Sequence, residues 1–219
     1  MHKTDVIKQI REIGVIPVVR ATTAEEAMRA IDAIREGGIS VIEITMTVPN
    51  AFSLIELVTG RFGSDALVGA GTVLDVETAK SCIASGAQFI VSPALNFDTI
   101  AYCREQNVTV MPGALTPTEV VQGWNAGADF VKVFPAGAVG GPGYLKALKA
   151  PLPHIDLVPT GGVSLENAAD FIRAGAAALG VGADLVDIKA EGSLITERAK
   201  QFVEIVRQAR DELTANERR

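Results

Sequence analysis

The chain has 219 residues, 48% of them hydrophobic and 21% charged, with a formal net charge of −6. That length carries one sizeable core or two small ones, and the acidic balance excludes a general nucleic-acid binder. The longest weakly polar run, 174–183, is about half of the roughly 20 residues a bilayer-spanning helix needs, and the opening MHKTDVIKQIREIG has no apolar signal segment, so a cytoplasmic protein without a membrane partner is expected.

Residues 3–13 read as a helix ahead of the first strand. Short runs rich in Val and Ile then recur at 14–19, 41–46, 67–73, 89–93, 108–114, 130–136, 155–162 and 177–186, with helix-patterned segments in every gap. Near-repeating helix stops precede several of them: REGGISVIEI, ASGAQFIVSP, NAGADFVKVFP and RAGAAALGVG each place a glycine before an apolar strand. A last helix over 196–213 presents Ala199, Phe202, Val206 and Ala209 on one stripe. Eight strand-to-helix units at intervals of 19 to 27 residues, with no linker and no shift in composition, predict one (β/α)8 TIM barrel domain over 1–219 with an extra N-terminal helix. An open doubly wound sheet is the alternative.

Two strands carry a charge where a buried strand should not. In the sixth, alternation puts Phe130, Lys132 and Phe134 on one face and Val131 and Val133 on the other. In the second, Val41, Glu43 and Thr45 share one face, and Ile42, Ile44 and Met46 form a purely apolar other one. Both charged side chains are therefore expected inside the barrel, each third in its strand and on opposite walls, where they can share a layer. One reading is a buried salt bridge that fixes register, although taking two ions out of water costs several kcal/mol per ion before their attraction counts. The other is chemical. Burial against Phe134 favours the neutral form of an amine, as attack on a ketone requires, and Glu43 would move protons through a water.

Barrel active sites lie at the C-terminal ends of the strands, commonly with a phosphate held by the loops after the seventh and eighth. Here those loops read PTGGVS and GVGADL. Gly161 and Gly162 let the backbone approach an anion, a helix expected to begin near Leu165 adds a positive dipole end, and Gly180 and Gly182 serve likewise next door. Thr72, Pro93 and Arg20 fall at the ends of the third, fourth and first strands. Arg20 can clamp a carboxylate with two parallel hydrogen bonds, or stand as a solvated arginine on the rim. Two cysteines without a CxxC and two histidines assemble neither a thiolate zinc site nor a three-histidine centre, so no metal is expected.

The segments IPVVR, VIEITMTVPNA, VGAGTV, FIVSP, MPGALTPTE, VKVFPA and VPTGGV, in this order across nearly the whole chain, resemble the class I 2-keto-3-deoxy-6-phosphogluconate aldolases and the related 4-hydroxy-2-oxoglutarate aldolases. The resemblance implies a homotrimeric barrel, needing no cofactor, that reversibly cleaves the sugar acid phosphate to pyruvate and glyceraldehyde 3-phosphate. It implies Lys132 as the Schiff-base lysine and Glu43 as acid and base. Thr72 and Pro93 would line the pyruvyl end, and Thr160, Gly161 and Gly162 the phosphate end. Two positions depart from the pattern. Thr47 stands where some members carry a carboxylate-binding arginine, which leaves Arg20 as the candidate for that anion. Ala183 stands where many members have a serine that reaches the phosphate.

In the expected mechanism the amine of Lys132 forms an iminium at C2, which accepts electrons as the C3–C4 bond breaks, while Glu43 shuttles protons. The galactonate epimer and unphosphorylated 4-hydroxy-2-oxoglutarate remain alternative substrates. Another sugar-phosphate barrel enzyme, or a barrel that binds without turnover, remains an alternative activity.

Overall fold

The computed structural model describes residues 2–217. After α1 (Lys3–Ile13) come β1 (Val15–Val19), α2 (Ala24–Glu36), β2 (Val41–Thr45), α3 (Ala51–Phe62), β3 (Leu67–Gly71), α4 (Val76–Ala84), β4 (Phe89–Val91) and α5 (Phe97–Glu105). The second half continues with β5 (Thr109–Met111), β6 (Gly113–Ala114), α6 (Pro117–Asn125), β7 (Val131–Val133), α7 (Gly141–Lys149), β8 (Leu157–Pro159), α8 (Ala168–Arg173), β9 (Leu179–Val181) and α9 (Gly192–Glu217). Local chemistry sets the helix ends. Thr23, Asp75 and Asn96 each accept an N–H of the first turn of α2, α4 and α5, and Thr116 with Glu119 closes a reciprocal capping box on α6. At the other end of α1, Gly14 adopts φ 69°, a left-handed stop that glycine takes without steric cost.

Every strand pair is parallel. The hydrogen-bonded order is β5-β4-β3-β2-β1-β9 in one segment and β6-β7-β8 in the other. The single fifth strand expected over 108–114 is thus two pieces, β5 and β6, because Pro112 between them has no N–H to donate. Its carbonyl still accepts the Lys132 N–H at 2.9 Å, which carries the ladder across the break. On the opposite side, isolated bridges Leu157↔Ala176 and Thr160↔Gly180 join β8 to β9. The sheet therefore curls into the expected (β/α)8 barrel, with α1 as the extra helix.

The interior is apolar at its N-terminal end. Ile16, Val41, Leu67, Phe89, Met111, Phe130 and Val158 meet there, and Val6 and Ile10 of α1 pack against them as a plug. A second layer lies between strands and helices and includes Ile42, Ile44, Val131 and Val133, with Ala199, Phe202, Val206 and Ala209 of α9. Several expected boundaries move, these three among them. The last strand ends at Val181 rather than Val186, since Leu185 and Val186 both turn back to donate to the Gly182 carbonyl. The helix expected near Leu165 starts at Ala168, after a turn in which the Asn167 and Ala168 N–H groups donate to the Ser164 carbonyl. The closing helix starts at Gly192 rather than residue 196.

Candidate active site

The face that β7 turns to the interior is fixed by its neighbours. Val131 and Val133 sit in the outer layer and Phe130 in the inner cluster, so the side chain of Lys132 points into the barrel, where it is only 3% exposed. It stands above the apolar plug, with its Nζ 5.2 Å from the centroid of the Phe134 ring. A cation over a desolvated ring gains on the order of 1–2 kcal/mol, well short of a full solvation shell. The amine is thus enclosed beside an aromatic wall, in the position from which a lysine nucleophile would meet a substrate in the barrel.

Glu43 obeys the same logic on β2. Val41 belongs to the inner cluster and Ile42 and Ile44 to the outer, which turns the carboxyl inward at 3% exposure. A glycine makes room for it. A Cβ on Gly71, at the end of β3, would stand 1.9 Å from Glu43 Oε1. Burial pushes the carboxyl pKa up, and the charges of Lys132 and then Arg20 oppose the shift. No salt bridge within 4.0 Å joins Glu43 to Lys132 among the described residues, and the buried Oε1 has no hydrogen-bond partner. A register-fixing ion pair would show the opposite on both counts. The arrangement instead leaves a buried acceptor without a partner in the field of the Lys132 charge.

The remaining strand ends surround this pair. Thr45, buried on the same face as Glu43, donates its hydroxyl to the Val19 carbonyl at 3.0 Å. Its only proton is thereby committed, so the exposed Thr47 is the donor in the 2.7 Å contact between the two hydroxyls. Thr72 follows β3 with φ 60°, a left-handed conformation costly for a β-branched residue and concentrated at functional sites. Pro93 follows β4, and its carbonyl carbon and oxygen lie 2.3 Å from where a Cβ on Gly113 would be, so β6 carries glycine there.

A cleft of about 330 Å³ opens at the far side of the mouth. It brings together Arg20, Phe134, Thr160, Gly161, Gly162, Gly182 and Ala183. Gly161 and Gly162 both have positive φ, 82° and 81°. Their carbonyls are occupied, that of Gly161 by the Gly137 N–H at 2.8 Å and that of Gly162 by Asn167 Nδ2 at 2.8 Å. Among the described residues their N–H groups donate to no other backbone atom, which leaves two donors free in residues that line the cleft. The helix dipole expected to reinforce them is displaced. With α8 starting at Ala168, the Leu165 N–H is taken at 2.9 Å by Asp184 Oδ2. Arg20 is exposed and lines this cleft, yet its charge also reaches Glu43.

Four lining residues escape the sequence reading: Val18, Val163, Ser164 and Asp184. Val18 could have been found, since alternation puts it on the same face of β1 as Arg20. Asp184 depends on a contact with Leu165 that no local pattern signals.

The description KDPG and KHG aldolase belongs to the family model that matches residues 6–212. The chain is 36% identical over 199 residues to the 2-dehydro-3-deoxy-6-phosphogalactonate aldolase of Escherichia coli (strain K12), covering 90% of this chain and 97% of that protein. The KDPG aldolase of Legionella pneumophila, solved with pyruvate captured at low pH as a covalent carbinolamine intermediate, is 32% identical and superposes with a TM-score of 0.82, covering 89% of this chain and 96% of that one. A cube-shaped protein cage designed by fusing symmetric oligomeric domains is 34% identical, with a TM-score of 0.87 over 94% of this chain and 76% of that one.

Proposed function

The chain belongs to the KDPG and KHG aldolase family, and from that membership we propose that Lys132 and Glu43 are its reacting pair and 2-keto-3-deoxy-6-phosphogluconate its substrate. It is a class I aldolase, a carbon–carbon lyase that works through a lysine Schiff base. The observation that carries the residue assignment is the pairing of a buried, unbridged lysine with a buried carboxylate whose Oε1 has no partner.

The neutral amine of Lys132 attacks the C2 ketone and water leaves, giving an iminium. Glu43 takes the C4 hydroxyl proton, the C3–C4 electron pair moves into the enamine, and glyceraldehyde 3-phosphate departs. Protonation at C3 and addition of water then release pyruvate and restore the amine. A carboxyl whose pKa is raised by burial is a weaker acid, so its carboxylate is the better acceptor of the C4 hydroxyl proton. Thr72, Pro93 and Thr47 surround the pyruvyl end. The clamp on the C1 carboxylate falls to Arg20, whose charge reaches Glu43. Thr160, Gly161, Gly162, Gly182 and Ala183 line the end that takes the phosphate.

The galactonate epimer is a second reading, favoured by the near-complete coverage of the E. coli phosphogalactonate enzyme. Pyruvate release from the gluconate, the galactonate and 4-hydroxy-2-oxoglutarate decides the matter. The gluconate is expected to give the highest kcat/KM, a higher value for the galactonate would reverse the assignment, and no pyruvate from any of the three would remove it.

We further propose that the chain forms a homotrimer and works in the cytoplasm. Phe52, Leu74 and Phe97 are exposed large apolar side chains at the start of α3, in the loop after β3 and at the start of α5. Those positions lie at the mouth end of successive units and fit a subunit contact in a homotrimer. Among the described residues no helix is long and apolar enough to cross a membrane. A cytoplasmic location suits a substrate with two anionic groups, a carboxylate and a phosphate, that bilayers retain.

A further inference from the structure

Beside the cleft lies a second pocket of about 230 Å³. The two share Val18, Arg20, Gly182 and Ala183 as a common wall, and the loop between β9 and α9 adds Asp187 and Lys189. The charges around this wall are unequally committed. Asp187 Oδ1 accepts the backbone N–H of Lys189 at 3.1 Å, and Asp184 Oδ2 accepts that of Leu165 at 2.9 Å. Among the described residues neither the ammonium of Lys189 nor the guanidinium of Arg20 has a hydrogen-bonded or ion-paired partner. Each acid thus keeps its charge but is held in place by a backbone N–H, while neither cation is held by a partner among the described residues.

From this geometry we infer that Lys189 meets the terminal phosphate of the substrate and sets the preference for phosphorylated over unphosphorylated 2-keto acids. Ala183 supplies no hydroxyl at the shared wall, Gly161 and Gly162 supply neutral donors only, and Arg20, the other cation on that wall, is the clamp for the C1 carboxylate. A lysine on a mobile four-carbon stem contributes the missing charge without needing a fixed geometry. The contact persists from bound substrate to transition state, since the phosphate is remote from the C3–C4 bond, so it acts on binding. This inference rests on the aldolase reading and deepens it.

Steady-state kinetics of the unmodified chain, Lys189→Gln and Lys189→Arg test it, with 2-keto-3-deoxy-6-phosphogluconate and 4-hydroxy-2-oxoglutarate as substrates and borohydride trapping of pyruvate as a control that involves no phosphate. Lys189→Gln is expected to raise KM for the phosphorylated substrate about tenfold, the low end for a hydrogen bond to a charged group, with kcat little changed. Lys189→Arg should restore the lower KM, and the unphosphorylated substrate should not distinguish the three proteins. An unchanged KM in Lys189→Gln, with pyruvate still trapped, overturns the role of Lys189 and leaves the aldolase reading standing. Equal losses on both substrates overturn it as well, in favour of a structural role. If the unmodified chain fails to trap pyruvate, the aldolase reading itself falls and this inference with it.

Discussion

Glu43 is held by a neighbour that has no side chain. Its Oε1 lies where a Cβ on Gly71 would be, so β3 must carry glycine at that position for β2 to carry a carboxyl inward. The same enclosure raises the carboxyl pKa above its ordinary 4.5, with Lys132 and Arg20 offsetting only part of the shift. The folded chain therefore binds this proton more tightly than the unfolded one. A raised pKa contributes stability that is complete below the unfolded value and is lost as pH rises through the folded value. Glu43→Gln has no such titration. Its Tm should gain on that of the parent as pH rises from about 4 to 7, and thermal melts across that range check the sign. A gap that is widest in acid would contradict the burial argument. The same variant should lose on the order of a hundredfold or more in kcat, the contribution of a positioned acid and base, while still forming the pyruvate adduct. Near-normal turnover would leave Glu43 with a structural part only.

At the scale of elements, α3, the loop after β3 and α5 present Phe52, Leu74 and Phe97 to solvent in a chain whose other large apolar side chains are mostly buried. Asn96 ties two of these elements together by donating its Nδ2 to the Leu74 carbonyl at 3.2 Å. Leu74→Asp places a charge in that patch without touching the core. Light scattering should report three chain masses for the parent and one for the variant; a parent that is monomeric would refute the trimer. Element order was readable because the signals were local and repeated: a glycine stop, an apolar strand, a capping side chain. The alternation that turned Lys132 and Glu43 inward was equally local. What escaped depends on contacts between distant positions. The Leu165 N–H is taken by Asp184, nineteen residues further along, and the turn it stabilises delays α8 to Ala168. The division of the fifth strand at Pro112 was written in the sequence, since proline cannot donate to a ladder, but apolar content alone reads across it.

For the molecule as a whole, the two ends of the barrel differ in kind. The N-terminal end is sealed by α1, and Arg210 of α9 fastens that end by donating to the carbonyls of Glu12 at 2.9 Å and Ala177 at 3.0 Å. The C-terminal end is open and gathers Lys132, Arg20 and Lys189 on a chain whose net charge is −6. Cations gathered at the mouth of an acidic chain give small anions a local point of attraction. Stability resides in the sealed end and chemistry in the open one, as parallel barrels require. The claim on which this account turns is that Lys132 forms the covalent bond. Incubation with pyruvate and borohydride, followed by peptide mass mapping, measures it directly. Irreversible loss of activity is expected, with a reduced pyruvate adduct on the peptide that carries Lys132. An adduct on Lys146, Lys149 or Lys189 with Lys132 unmodified would contradict it.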